Sequence, residues 1–357
     1  MPSRDLDTIT TAFSHSLKNI IIQDLQTANN AQTTHIHIGH DWSDMPIFEH
    51  LDLQTRNREN RVVLDPRRLA RYPSIRYVNI KDETFDYSSQ EIVPWLPADL
   101  PEVRTVLLRG WSALSFNPAT LYSTKKLKDL RLILTRPNWY CYIPPVDELD
   151  EHIGAEDGGS GDECYGVPGS IVRPRWNWDW HLPALETLDL SSEFAYRFEF
   201  KMLHRCPNLE YLRLLMRTVE GLHTRVISEA HLFVPGVDGS LERIVAPKLR
   251  TLSMNDRWVI EDPSVLSQFL GSMFPKLKRL VAIGWEGVTL GSFVNTLRTT
   301  AGHINTVRTD LVEPSDEEVV ELKLCSDSTY FYMKPKINVI LRPRLFCSGR
   351  EYVLFKE

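Results

Sequence analysis

Residues 183–190 read Pro-Ala-Leu-Glu-Thr-Leu-Asp-Leu, so that apolar residues stand at Leu185, Leu188 and Leu190. We name this spacing (apolar, two variable, apolar, one variable, apolar) the repeat motif. Seven copies lie at residues 75–80, 103–108, 127–132, 185–190, 209–214, 249–254 and 277–282. In six of the seven copies a proline stands two residues before the first apolar position, at Pro73, Pro101, Pro183, Pro207, Pro247 and Pro275. The repeat motif therefore predicts that the same local structure occurs several times along the chain.

The spacing of the copies indicates the fold class. Successive copies start 28, 24, 58, 24, 40 and 28 residues apart. Four of these steps lie in the window of about 20–29 residues that is typical of small structural repeats, and 58 is about two such steps. A unit of this size buries its apolar face only by packing on its neighbours. The sequence therefore predicts an α/β protein built as an open stack, not a closed globule around one pocket.

The alternation inside the motif predicts a strand with one buried face. Leu188 and Leu190 are expected to point into the stack and Asp189 to face water, so that Asp189→Ala should change the melting temperature little. The seven strands, centred near residues 78, 106, 130, 188, 212, 252 and 280, should lie parallel along one wall. Helices are predicted between them, over residues 194–203 and 289–299 and after Asp262, which is placed to cap a helix starting at Pro263.

The proline-led motifs, the step at residues 206–209 (Cys-Pro-Asn-Leu) and the irregular 24–28-residue spacing resemble leucine-rich-repeat proteins, and more narrowly the fungal F-box-type group. The resemblance covers about residues 70–310 and implies a solenoid, or horseshoe, with a parallel concave sheet, irregular repeats and terminal caps. In that group an N-terminal F-box docks the protein onto a cullin ubiquitin ligase. Residues 1–60 lack the Leu-Pro-x-Glu opening of an F-box, and the nearest match, residues 96–102, runs into a repeat strand.

Three regions are predicted along the chain. Residues 1–70 form an N-terminal cap or degenerate first repeats, with a helix over residues 9–25. Residues 71–310 form the solenoid, interrupted by an acidic insertion at 136–181. Residues 311–357 form a last repeat and a C-terminal cap, with strands over 317–324, 329–333, 337–341 and 351–355.

Composition narrows the class of partner and the compartment. The net charge of −6 lacks the basic excess that is typical of nucleic-acid-binding proteins. Five cysteines without a C-x-x-C pair predict neither a disulfide framework nor a zinc site, and favour a reducing compartment. Neither a signal peptide nor a run of 18 apolar residues is visible. We expect a cytoplasmic or nuclear protein that binds neither nucleic acid nor membrane.

The outward positions of the predicted strands supply the candidate binding residues, because variable side chains on an open sheet are free to contact a partner. The candidates are Tyr77, Asn79, Lys81, Arg109, Arg131, Asp189, Tyr211, Arg213, Asn255 and Arg279. Tyrosine and arginine are enriched in interface hot spots. Five basic residues against two acidic ones, Asp129 and Asp189, predict a preference for an acidic partner segment.

Two features beside this surface leave alternatives open. Residues 147–163 contain eight acidic residues, four glycines and no lysine or arginine. This composition predicts a weakly ordered segment, either a tolerated surface insertion or an acidic lid that competes for the basic surface.

Trp176, Trp178 and Trp180 fall on one face of an extended strand. They either cover the edge of the core or anchor a partner.

The histidine pattern His35, His37 and His40 resembles the metal-binding opening of metallo-β-lactamase-type hydrolases. That pattern needs an acidic residue where Gly39 stands, and the remaining histidines lack the spacing of further ligands. We therefore expect neither a metal nor another cofactor. A metal-dependent hydrolase using these three histidines is the remote alternative, which metal analysis of the purified protein tests.

The function predicted from the sequence is a non-enzymatic protein-recognition scaffold that binds a partner protein on the concave face. No phosphate-binding glycine loop or G-x-S-x-G motif is present, which removes two common kinds of active site. The alternative is a substrate receptor of a cullin-type (SCF) ubiquitin ligase, with a Skp-type adaptor as second partner. Capture of such an adaptor by the N-terminal segment discriminates between the two.

Overall fold

The computed structural model describes residues 11–23, 35–38, 45–55, 61–64, 69–82, 99–114, 116–134, 180–216, 224–236, 239–309, 338–341 and 352–354. Within these residues the dominant element is a 13-stranded sheet. Its strands are β1 (Asn19–Ile22), β3 (His50–Thr55), β5 (Tyr77–Asp82), β6 (Thr105–Arg109), β7 (Asp129–Ile133), β8 (Thr187–Ser191), β9 (Tyr211–Leu215), β10 (Arg225–Ile227), β13 (Thr251–Ile260), β14 (Arg279–Glu286), β15 (Thr306–Thr309), β16 (Asn338–Leu341) and β17 (Tyr352–Leu354).

The strands follow one another in the sheet almost in chain order, from β1 through β9 to β13 and on to β17, with β10 beside the distal part of β13. All pairs in this sheet are parallel except β16 with β17. Two small sheets stand apart, a parallel pair of β2 (His35–Ile38) with β4 (Arg61–Leu64) and an antiparallel pair of β11 (Phe233–Pro235) with β12 (Leu241–Arg243).

The seven strands that the repeat motif predicts are confirmed as β5, β6, β7, β8, β9, β13 and β14, and they are parallel as predicted. Equivalent motif positions lie side by side, so that Leu130, Leu188, Leu212 and Leu252 form one row across four strands. These four side chains are completely buried. Long parallel sheets with a connection after each strand are compatible with a solenoid-like stack.

A tight turn before each strand accounts for the proline that stands two residues before the repeat motif. The Leu185 backbone N–H donates to the Leu182 carbonyl at 3.1 Å, and the same bond joins Leu209 to Cys206 and Leu277 to Phe274. Proline is the second residue of each of these turns, where its fixed φ suits the geometry. The turn buries the first apolar residue of the motif and directs the chain into the next strand.

The sheet begins earlier than the sequence predicted. β3 belongs to a copy of the motif that lies before the seven copies used for the prediction, Phe48-Leu51-Leu53, with Pro46 two residues before it. Residues 19–22 form β1, so the predicted helix over 9–25 is wrong there. Ile20 and Ile22 are buried while Ile21 is 61% exposed, and this two-residue alternation suits a sheet edge and not a helix.

The predicted helices are confirmed in two of three places. Helix α3 (Pro263–Gln268) is capped by Asp262, whose Oδ1 accepts the backbone N–H groups of Ser264 at 2.6 Å and Val265 at 3.0 Å. Helix α4 (Leu290–Thr299) follows a Thr289 cap. Residues 194–203 do not form one helix but divide into α2 (Glu193–Tyr196) and a 3-10 helix, Phe200–Arg205. The described part also contains α1 (Trp111–Leu114) after β6.

Aromatic side chains from the connections and from β14 pack together in the core. Phe200, Phe269, Trp285 and Phe293 make successive edge contacts with centroids 5.4 to 6.4 Å apart. Such edge-to-face pairs contribute about 0.5–1.5 kcal/mol each beyond their burial. They join the connections of successive repeats into one layer behind the sheet, and leave the opposite side of the sheet to outward-pointing side chains.

The C-terminal predictions are tested in part. Strands predicted over 337–341 and 351–355 are confirmed as β16 and β17. β15 was not predicted as a strand, because Thr309 stands at its last inward position and no proline precedes it. The predicted strands over 317–324 and 329–333, and the acidic segment 147–163, lie outside the described residues.

Candidate functional site

The outward-pointing side chains of β3 to β15 form three rows, which together we name the polar face. The register aligns the first two rows residue by residue across the strands. The first row is His50, Tyr77, Thr105, Asp129, Thr187, Tyr211, Thr251, Arg279 and Thr306. The second row is Asp52, Asn79, Leu107, Arg131, Asp189, Arg213, Ser253, Val281 and Arg308. The third row contains Lys81, Arg109 and Ile133, in register on β5, β6 and β7, and Asn255 on β13.

Ion pairs neutralise the centre of the polar face. Arg131 donates from Nε and Nη2 to the two carboxylate oxygens of Asp129, both at 2.9 Å. The hydrogen bonds to Asp129 raise the pKa of Arg131 above its ordinary value. On the next strands Arg213 Nη1 lies 3.3 Å from Asp189 Oδ2. The excess of five basic over two acidic residues therefore does not make a uniformly basic surface, because both acids lie against two of the arginines.

Asp189 is buried, which contradicts the expectation that it faces water. Its side chain is 6% exposed, whereas those of Arg213 and Arg131 are 35% and 43% exposed. It points to the outward side of the sheet, but in-register neighbours on β7 and β9 cover it. Burial raises the pKa of Asp189 above its ordinary value, and Arg213 partly opposes that rise.

Asp189→Asn is expected to change the pH dependence of stability more than stability at neutral pH. A carboxyl whose pKa is raised on folding contributes stability that is fully present below its unfolded pKa and is lost as pH rises through the folded value. The melting temperature of the wild type should therefore rise relative to Asp189→Asn as pH falls from 7 to 4. Thermal unfolding at several pH values measures this difference. A difference that stays constant with pH would contradict the assigned environment.

On the first strands of the polar face, a tyrosine ring is fixed by stacking on a histidine ring. The rings of Tyr77 and His50 stack with centroids 4.0 Å apart and 8° between their planes. Asn79 donates from Nδ2 to Asp52 Oδ1 at 3.0 Å. Burial raises the pKa of Tyr77 and of Tyr211 above the ordinary value. His50 and Asp52 were absent from the predicted site, although the motif at residues 48–53 would have revealed both.

Three predicted cations of the polar face keep their charge uncompensated within the described part of the chain. Lys81 on β5 and Arg109 on β6 are register neighbours and are half-exposed, and Arg279 on β14 is exposed. Their side chains make no ion pair or hydrogen bond to the residues described. Asn255 completes the predicted set, and its buried Oδ1 has no hydrogen-bond partner among those residues.

Of the two alternatives for the tryptophans, core packing holds at the one position that lies within the described residues. Trp180 is 1% exposed and belongs to the hydrophobic core, so it is not a partner anchor. It stands two residues before the turn at Leu182–Leu185 that leads into β8. Trp176 and Trp178 lie outside the described residues.

Two of the three histidines of the predicted pattern lie within the described residues. His35 and His37 belong to β2, which pairs with β4 and not with the main sheet, and His40 lies outside the described residues. Within the described ranges no group of three His, Cys, Asp or Glu residues is arranged to hold a metal ion.

Burial raises the pKa of the Cys206 thiol to about 12, so it is unreactive at neutral pH. No helix in the described part is both long and apolar enough to cross a bilayer.

The fold and the polar face define an α/β protein whose parallel sheet is built from strand-and-connection repeats. Comparison with known proteins gives no closer assignment, because neither a protein-family model nor a curated protein matches the chain. The function therefore has to be inferred from the residues of the polar face.

Proposed function

We propose that the chain is a non-enzymatic protein-recognition scaffold whose partner binds to the polar face. The observation that carries this proposal is the register, which places Tyr77, Tyr211, Arg131 and Arg213 in continuous rows across adjacent strands. A surface that extends over many strands suits an extended protein partner better than a small molecule, which a concave pocket would enclose.

The anchors of this surface are held before a partner arrives. Asp129 accepts two hydrogen bonds from Arg131 and so orders its side chain, and His50 stacks on Tyr77. Ordering a long side chain at an interface costs about 0.5–1.5 kcal/mol, and side chains that are already ordered avoid part of that cost. Tyrosine and arginine are also enriched among the residues that contribute most of the free energy of binding at protein interfaces. These properties support recognition of a partner protein.

Replacing both polar-face tyrosines, as Tyr77→Ala with Tyr211→Ala, is expected to abolish capture of the partner. Hot-spot residues contribute about 2 kcal/mol or more each, so affinity should fall by at least about 100-fold. Affinity capture from cell extract with the wild type identifies the bound protein, and titration of the purified pair gives the dissociation constants. The matched control is Tyr122→Ala, which removes a tyrosine that is 46% exposed and lies in the connection between β6 and β7. Equal binding by the double variant would contradict the proposal.

A further inference from the structure

Two positive side chains oppose each other on the polar face. Lys81 and Arg109 are directly in register on β5 and β6, whose backbones lie about 4.8 Å apart as neighbouring strands do. Like charges at opposed positions destabilise a sheet. Elsewhere on the face, Arg131 and Arg213 each have a carboxylate partner at hydrogen-bond distance. At Lys81 and Arg109 no described residue supplies one.

The neighbouring outward side chains are aliphatic. Leu107 precedes Arg109 on β6 by two residues, and Ile133 on β7 is the register neighbour of Arg109. Both are half-exposed. We name these four residues, Lys81, Leu107, Arg109 and Ile133, the Lys81 patch. It presents two positive charges, for which no residue in the described ranges supplies a counter-charge, next to an apolar strip.

We propose that the Lys81 patch binds an acidic peptide segment of the partner, and that this segment carries carboxylates beside an aliphatic side chain. A carboxylate between the Lys81 ammonium and the Arg109 guanidinium would relieve their repulsion, and the aliphatic side chain would cover Leu107 and Ile133. The apolar strip favours a peptide over a nucleic acid, because a peptide can place an aliphatic side chain against Leu107 and Ile133. This inference rests on the proposed function and specifies the partner chemistry at one part of the polar face.

The proposal separates stability from binding, because the charge pair is unfavourable until a ligand neutralises it. Lys81→Glu places opposite charges on β5 and β6 and should raise the melting temperature by about 1–2 °C. The same change should weaken binding of an acidic peptide. A variant that only damaged the fold would lose both together.

The test measures fluorescence anisotropy with a labelled nonapeptide of Glu-Glu-Leu repeats and a neutral counterpart of Gln-Gln-Leu repeats. The wild type should bind the acidic peptide, with an affinity that falls as salt rises from 50 to 300 mM. Lys81→Glu should weaken binding about 30-fold, as two coupled charge contacts of about 1 kcal/mol each predict. The matched control is Lys276→Glu, which makes the same charge change at an exposed turn residue before β14 and should bind within threefold of the wild type.

Four results would overturn the proposal. These are equal binding by Lys81→Glu and the wild type, no binding of the acidic peptide by the wild type, equal binding of the neutral peptide, and tighter binding of a single-stranded oligonucleotide than of the acidic peptide. Partner capture separates the two inferences. If the tyrosine double variant loses the partner while Lys81→Glu retains it, the polar face remains the binding surface and only the Lys81 patch is rejected.

Discussion

Leu188→Asp and Leu212→Asp are each expected to unfold the central repeats. Both leucines are fully buried and lie side by side on β8 and β9, so an aspartate there would be an unpaired charge inside the stack. An uncompensated buried charge costs about 3–5 kcal/mol, a large part of the stability of an ordinary domain. Circular dichroism during heating should show either a large drop in melting temperature or no folded state at 25 °C.

The control for this prediction is Thr251→Asp. Thr251 lies on the polar face of β13, half-exposed and in register with Arg279, so an aspartate there remains hydrated and gains a favourable neighbour. Its melting temperature should stay within about 2 °C of the wild type, because surface substitutions change stability by about 0.5 kcal/mol or less. Equal losses from the inward and outward substitutions would show that the assigned faces of the strands are wrong.

Gly110→Ala is expected to be the most damaging single-methyl change in the described part of the chain. Gly110 follows β6 with φ of 75°, and its backbone N–H donates to the Ile133 carbonyl at 2.8 Å. A Cβ at this position would overlap the Asp82 carbonyl oxygen and Oδ1. Asp82 cannot move away freely, because its side chain is fully buried and its Oδ2 accepts the Ser112 backbone N–H at 2.9 Å.

The expected loss for Gly110→Ala is at least about 3 kcal/mol, which combines left-handed backbone strain of about 1–2 kcal/mol with the cost of displacing a buried, hydrogen-bonded group. Gly239→Ala is the matched control, since Gly239 has φ of 79° but no atom within 4 Å of an added Cβ. It should lose only the backbone strain. Chemical denaturation gives the two free energies of unfolding, and equal values would disprove the overlap with Asp82.

The repeat motif predicted the strands well because the same three inward positions are needed in every repeat. Its failures have local causes. The copy at residues 48–53 fits the motif, including Pro46, but lies within the region that was predicted to form a cap. The strand at 306–309 lacks both the proline and the apolar last position, and only its pairing with β14 shows that it continues the sheet. For residues 19–22, helical and strand spacing were both compatible with the isoleucines.

The polar face was predictable as a set of residues but not as a charge distribution. Counting positions found Arg131, Arg213, Asp129 and Asp189, yet the count could not show which charges compensate one another. Asp129 lies two residues before Arg131 on the same strand, whereas Asp189 meets Arg213 from a neighbouring strand 24 residues away. The second pairing depends on a register that only the folded sheet defines.

The sequence by itself determined the parallel strands and the division of their residues into inward and outward positions, because these depend on the spacing of apolar residues within and between copies of the motif. Only the tertiary structure decided that Asp189 and Trp180 are buried, that Arg131 and Arg213 are neutralised, and that Lys81 and Arg109 oppose each other without a described counter-charge. Burial and electrostatic compensation depend on neighbours across the sheet, and those neighbours come from repeats that are distant in the chain.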